Sequence, residues 1–401
     1  MTRVAYLSAD PGVPAFGTKG ASVHVQEIIR AFRDRGAEVG LYTARTDDHV
    51  PADLADVPVV HVPVDGSAEQ RRADRSLPRE ERTARREHRQ VAAAHELAAR
   101  AIADGADLAY ERYSLFSTAL AEVCSTLGVP GVLEVNAPLI DEQATHRDLV
   151  DTEGALRALR TQVAAASVVA CVSEPVAAWV RGHCPDAADR IRVTPNGVNT
   201  TRIAPSAAAP VGDPVVLFVG TLKPWHGVEV LLEAAAVARE RWQVRIVGDG
   251  PQGQALAEQA ERLGVPVDFR GAVAPGDIPA ALAGASIAVA PYPVLDGGAD
   301  QYFSPLKIYE YAAAGLPVVA SRVGQVPTIV RDGENGLLVE PSDATSLAAA
   351  IDTLVADPER ARALGRAGRA MVETGHSWER VLEQILDGLS LSDGSVTEGV
   401  A

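Results

Sequence analysis

Lys307 and Glu310 stand three residues apart in Ser304-Pro305-Leu306-Lys307-Ile308-Tyr309-Glu310-Tyr311-Ala312-Ala313-Ala314-Gly315-Leu316-Pro317, and together they could do chemistry. The segment predicts a short helix: Ser304 as N-cap, Pro305 in the first helical position, Gly315 just past the last turn and Pro317 barring its continuation. A helix start carries unpaired N–H groups and a partial positive charge, so it favours an anion. Lys307 adds a full charge there, and the Glu310 carboxylate one turn on can accept hydrogen bonds from hydroxyls. A phosphate site beside a hydroxyl site suits a sugar nucleotide. The same i, i+3 spacing also suits a plain surface ion pair worth a few tenths of a kcal/mol, and on this segment alone the two readings weigh equally.

The rest of the chain must position that segment. Its 401 residues suit two α/β domains, and a 47% hydrophobic content with only 4% aromatics calls for cores of Ala, Val and Leu. Short apolar runs near 4–8, 39–43, 57–62, 108–110, 131–135, 168–172 and 191–194 read as strands, separated by helical patterns. One of these patterns, over 21–35, places Val25, Ile28, Ile29 and Phe32 on one face. The Pro- and Ala-rich stretch 205–214 reads as a linker, after which the pattern restarts. Strands are predicted at 215–219, 244–247, 267–270, 287–290, 317–320 and 337–339, with a helix running from about 228 to 241. Alternation of this kind predicts two doubly wound Rossmann-like domains with parallel sheets, ligands at the carboxyl ends of the strands and a cleft between the domains. The expected boundaries are 1–204, 205–375, a last helix over 376–390 with Ser377 as its N-cap, and a frayed tail over 391–401.

The net charge of −16 argues against nucleic acid as a partner. Cys124, Cys171 and Cys184 show no metal-binding spacing and fit a reducing compartment. The amino terminus lacks a signal-peptide core, and no apolar run has the length of a membrane span, so a cytoplasmic protein is expected. One segment departs from the acidic average. Residues 69–89 carry eight arginines with acids interspersed, which reads either as a solvated, salt-bridged helix or as a basic face for peripheral contact with a membrane or a charged acceptor.

Gly248-Asp249-Gly250-Pro251-Gln252-Gly253 matches G-x-G-x-x-G after a strand, with Asp268 about where a ribose-binding acid would lie. The dinucleotide reading is disfavoured on two counts: Pro251 removes an N–H from the loop, and the match follows the second strand of its domain and not the first.

Taken in order, Gly20-Ala21-Ser22-Val23-His24-Val25, Pro195-Asn196-Gly197-Val198-Asn199, Phe218-Val219-Gly220-Thr221-Leu222 with His226-Gly227, Val247-Gly248-Asp249-Gly250-Pro251, Ala290-Pro291-Tyr292-Pro293, residues 304–321 and Asp332-Gly333-Glu334-Asn335-Gly336 resemble the family 4 retaining glycosyltransferases of the GT-B fold. The resemblance covers nearly the whole chain. It implies a metal-independent transfer of a sugar, with no cofactor, from a UDP- or GDP-linked donor to the hydroxyl of a saccharide, glycolipid or small molecule.

It also implies roles. Gly20 would let the first loop approach the donor diphosphate. The loop after the first strand of the second domain usually supplies an Arg and a Lys, but here Thr221 and His226 occupy those positions. Lys223 and Lys307 are the expected substitutes, with His226 as a hydrogen-bond donor. Glu310 matches the second of the family's two signature glutamates and would hold the ribose. The first falls on Tyr302, with Asp296 and Asp300 as possible replacements in the preceding loop. This Ser-Pro-Leu-Lys form resembles a variant of the family. Phe303, Ser304, Pro305, Leu306 and Gly248 are expected around the donor. Asn136 is expected near the reacting carbon, with Glu134 and His24 on the acceptor side. Tyr110 and Arg112 stand between that side and a purely structural role. A nucleotide-binding scaffold without activity and an epimerase of the same fold are the alternatives.

Overall fold

The structure is a computed structural model that describes residues 1–47, 49–206, 212–294 and 301–389. It contains two compact units, Met1–Pro195 together with the chain from Leu382, and Asn196–Val381.

In the first unit seven parallel strands form one sheet: β1 (Arg3–Ser8), β2 (Glu38–Thr43), β3 (Val59–His61), β4 (Leu108–Arg112), β5 (Gly131–Val135), β6 (Val168–Cys171) and β7 (Ile191–Val193), in the order β3-β2-β1-β4-β5-β6-β7. The second unit holds β8 (Val215–Val219), β9 (Gln243–Val247), β10 (Val267–Phe269), β11 (Ile287–Ala290), β12 (Val318–Ser321) and β13 (Gly336–Val339), in the order β10-β9-β8-β11-β12-β13. Both sheets therefore carry the doubly wound order, reversing direction at β1/β4 and at β8/β11, where such sheets bind ligands beyond their carboxyl ends. The strands lie where the apolar runs place them, because strands covered on both faces must be nearly continuous in Val, Ile and Ala.

In the first unit, helix α1 (Gly20–Asp34) buries Val25, Ile28, Ile29 and Phe32, the face that its periodicity predicts. The second unit buries one face of its sheet under a cluster that includes Tyr309, Tyr311 and Val372. Its other face is covered by a cluster that includes Leu231, Leu256 and Ile351. Gly365 touches the chain between helices Leu306–Ala313 and Val318: a Cβ there would come within 2.1 Å of the Gly315 carbonyl.

Four expectations change. The division falls after Pro195 and not at 205, because Asn196 bonds Ser304, Val198 bridges Ser377 and Ile203 is fully buried in the second unit's core. The helix predicted to reach residue 241 ends at Val237, since the Asp352 carboxylate accepts the N–H groups of Arg239 and Glu240 and the Trp242 indole N–H. The arginine-rich segment forms two helices, α2 (Ala68–Asp74) and α3 (Arg79–Asp104), broken before Pro78. The last helix spans Trp378–Leu386, with the Ser377 hydroxyl accepting from Arg380 N–H as expected of an N-cap. The tail 391–401 lies outside the described residues.

Candidate active site

In the second unit the site is built on glycines that let three loops touch. Gly220, which follows β8, has φ +148°, and Gly248, which follows β9, has φ +146°. A Cβ on Gly248 would lie 1.9 Å from the Gly220 carbonyl, and one on Gly250 would lie 2.5 Å from the Leu222 carbonyl. Gly227 would meet the Pro291 carbonyl at 1.9 Å, locking the loop after β8 to the loop after β11. Only glycine permits approaches this close. The G-x-G-x-x-G match thus has a packing cause. Gly248 also gives its N–H to the Gly271 carbonyl at 2.7 Å, so it has no backbone donor left to offer a phosphate.

Lys307 rises from the first turn of helix Leu306–Ala313 into this glycine floor. Part of the residue is exposed, but its ammonium nitrogen is shut off from solvent and makes no hydrogen bond with the described residues. Nζ lies 4.1 Å from the centre of the Phe218 ring and 5.4 Å from that of Tyr292, and a Cβ on Gly220 would meet it at 2.7 Å. Burial pushes its pKa down to about 7, and the Glu310 carboxylate opposes that shift without forming an ion pair. The surface-pair reading of Lys307 and Glu310 therefore does not hold: the amine faces rings and backbone. A buried cation with no counter-ion has a strong electrostatic reason to accept an anion. Tyr311 sets this helix against the sheet, its hydroxyl accepting from Val219 N–H at 2.7 Å.

His226 stands between Phe218 and Tyr292, at ring distances of 6.0 and 6.1 Å. Its Nδ1 contacts the Thr221 carbonyl. A carbonyl only accepts, so Nδ1 carries the proton and Nε2 of the neutral ring is an acceptor. Burial first, then Lys307, hold the ring's pKa down to about 4. His226 can therefore act as the expected hydrogen-bond donor through Nε2 only after the ring gains a proton, which a bound anion would favour. Lys223 is not part of the buried cluster. Its ammonium rests 4.5 Å over the ring of Trp225, which is 44% exposed, an aromatic that the sequence reading passed over.

Ser304 does not cap the helix. The helix begins at Leu306, Pro305 holds the N-cap position, and no side chain caps it. The Ser304 hydroxyl accepts from Asn196 N–H at 3.1 Å and its carbonyl accepts from Asn196 Nδ2 at 2.8 Å. Ser304 thus anchors the loop, Pro305 has no N–H to offer, and the first-turn N–H groups of Leu306 and Lys307 are left facing the loop without a cap. Tyr302 is partly exposed, and Phe303 packs 4.8 Å from the Tyr292 ring. Asp296 and Asp300 lie outside the described residues.

The first unit collects a different set. Parallel register places Tyr6 beside Tyr110 and Arg112 beside Glu134, so Tyr6, Tyr110, Arg112, Glu134 and Asn136 share the sheet face under α1. His24, on α1, sets its imidazole Nε2 against the Glu134 carboxylate, with both side chains buried. Burial alone would raise the Glu134 pKa, but His24, Arg112 and Asn136 outweigh it and hold the carboxyl below its ordinary range. The Tyr6 and Tyr110 rings stack at 5.2 Å, and burial beside Glu134 raises both phenols well above the ordinary value. Tyr6 was missed by the sequence reading, although period-2 alternation from Val4 through Tyr6 to Ser8 was available to find it. Asn136 is partly exposed just past β5. Gly20 is exposed in the first turn of α1. The tight approach in that loop belongs to Gly17, where a Cβ would come within 2.7 Å of the Ser22 hydroxyl. Among the described residues, no cluster of His, Cys, Asp or Glu could hold a metal ion.

Two such sheets with glycine loops at their carboxyl ends define a GT-B protein. Residues 18–202 match the family described as Glycosyltransferase Family 4, and residues 213–357 match that described as Glycosyl transferases group 1. The two matches together span most of the chain, which carries the GT-B fold of such glycosyltransferases. It is 34% identical to a GDP-mannose-dependent alpha-(1-6)-phosphatidylinositol monomannoside mannosyltransferase of Mycolicibacterium smegmatis, over 46% of this chain and 52% of that relative. This match thus spans about half the length of the relative. A D-inositol 3-phosphate glycosyltransferase of Nocardia farcinica is 28% identical over 97% of this chain and 89% of its own. The fold is also that of Anabaena HepE in complex with UDP, at a TM-score of 0.70 and 22% identity over 96% of this chain and 98% of that one. No helix among the described residues is long and apolar enough to cross a membrane.

Proposed function

We propose that the protein transfers a sugar from a UDP- or GDP-linked donor to an acceptor hydroxyl with retention of anomeric configuration and without a metal ion. The observation that carries this reading is the buried Lys307 ammonium, unpaired among the described residues, at the carboxyl end of β8 beside a glycine floor and an uncapped helix start. Lys307 and the helix N–H groups take the donor diphosphate, Glu310 takes ribose hydroxyls, and Tyr302 and Phe303 border the sugar. His226 gains a proton and donates through Nε2 to the diphosphate, and Lys223 lies further out. Asn136, with Glu134 and His24 behind it, serves the acceptor.

In the reaction the bond from the anomeric carbon to the diphosphate oxygen breaks and the acceptor oxygen bonds the same face of that carbon. The acceptor proton passes to the departing phosphate. Lys307 stabilises the charge that develops on that phosphate, the role a divalent cation would otherwise fill. The relatives support the donor class: one is named for GDP-mannose and a structural neighbour holds UDP.

A thermal-shift panel of UDP, GDP and their sugars tests the donor, since a ligand that binds only the folded state raises apparent stability. Product stereochemistry by NMR then tests retention, and turnover in EDTA tests metal independence. Failure of every nucleotide to bind sinks the reading. Binding without transfer to any acceptor pool would leave a nucleotide-binding scaffold.

A further inference from the structure

Helices α2 and α3, with the turn between them, carry the eight arginines of residues 69–89 against five acids, a local net charge of +3 on a chain of −16. The arrangement is ordered. Arg79, Arg82, Arg86 and Arg89 recur at i, i+3, i+7 and i+10, a single stripe about 80° wide on α3, while Glu80, Glu81 and Glu87 fall outside it. Glu87 turns inward, its carboxylate accepting the N–H groups of Val150 and Asp151 at 2.8 and 3.0 Å. Asp74, at the end of α2, accepts from Arg85 at 3.4 Å and from Arg89 at 2.8 Å, which fastens α2 to α3 and makes one patch of their arginines. Arg79 pairs with Asp148. Arg71, Arg72, Arg75, Arg82 and Arg86 form no ion pair among the described residues, and all five are exposed.

We propose that this arginine face docks on an anionic lipid bilayer. Guanidinium groups spread over about 15 Å of α3 suit a plane of phosphate headgroups better than one small anion. Charges further off than the Debye length, about 8 Å at physiological salt, are screened, so the acidic remainder of the chain does not cancel a face lying against the surface. The same remainder disfavours a long nucleic acid, which would have to pass over it. Each arginine near such a surface adds roughly the same increment, so binding scales with the number of free guanidinium groups.

The test is co-sedimentation of the full chain with vesicles of phosphatidylcholine alone and of phosphatidylcholine with phosphatidylglycerol in equal parts. The intact protein is expected on the anionic vesicles only, released by salt. The triple variant Arg72→Glu, Arg82→Glu, Arg86→Glu should partition more weakly by well over roughly 100-fold, because each substitution removes one charge and adds its opposite. The corresponding triple Gln variant should fall between them, with circular dichroism showing both variants folded. Equal binding to neutral vesicles, no binding to anionic ones, or a folded triple Glu variant that still binds fully would overturn the proposal. So would preferential binding to soluble polyphosphate over vesicles, which would assign the face to a charged polymer.

Discussion

The two sheets share one strand order, yet their carboxyl ends are built on opposite electrostatic plans. In the second unit, glycines bring bare backbone together around one ammonium that has no counter-ion among the described residues. In the first unit, large polar side chains crowd under α1, and the Glu134 carboxylate is matched by His24 and Arg112. An unmatched charge is poised for a ligand, whereas a matched pair holds its own geometry. The doubly wound order sets where a site lies, and the side chains decide whether it is open or self-satisfied.

The sharpest way to break this comparison is at Lys307. Lys307→Ala and Glu310→Ala should each lower turnover by roughly 100-fold or more, on the order of 3 kcal/mol, measured with the true donor and acceptor. Full activity in both would remove the assignment.

Glu111 offers an internal contrast within the first unit. It points away from α1, accepts from Leu120 N–H and Gln162 Nε2 at 2.7 Å each, and burial pushes its pKa up to about 7 from 4.5. A carboxyl raised in the folded state contributes stability that is complete below its unfolded value and lost as pH rises through about 7. Glu111→Gln should therefore flatten the stability profile over that window by roughly 3 kcal/mol, read by denaturant unfolding at several pH values. A profile unchanged by the substitution would show that Glu111 stays ionised. Glu134, whose pKa is lowered, has the opposite sign: its contribution is present above the ordinary carboxyl value and fades only as pH falls below it.

Nucleotide affinity gives a finer probe of the open site. Burial brings the Lys307 ammonium down to about 7, and a bound diphosphate favours its charged form. UDP or GDP affinity should hold steady below that pH and weaken up to roughly tenfold per pH unit above it, measured by calorimetry. Lys307→Arg should abolish the slope, because a guanidinium stays charged. A slope that persists in the arginine variant would assign it to another group.

The smallest effect is expected at Tyr311. Tyr311→Phe strips the Val219 N–H of its side-chain acceptor and should cost about 1–2 kcal/mol of stability. Turnover should fall with KM little changed if the hydroxyl places Lys307. A shift in stability alone would confine Tyr311 to the core.

Much of this was legible in the residue order. Continuous Val, Ile and Ala runs marked the strands, because a strand buried on both faces has no polar alternation, and the 3.6 period of residues 21–35 marked the buried face of α1. The position of Lys307 in a first helical turn could also be read, since Pro and Gly punctuate a helix through their own backbone restrictions. Only the tertiary structure decided the partners. Ser304 had the chemistry of an N-cap, but Asn196, 108 residues away, takes its hydroxyl. The helix from Val228 had the propensity to run on, but Asp352 captures the next N–H groups. Gly248 had the spacing of a cofactor loop, but the Gly220 carbonyl fills the space its side chain would need. Local sequence fixes what each residue can do through its own dihedrals and donors. Which of those capacities is used, and which charge is left without a mate, depends on groups that meet only when distant segments pack.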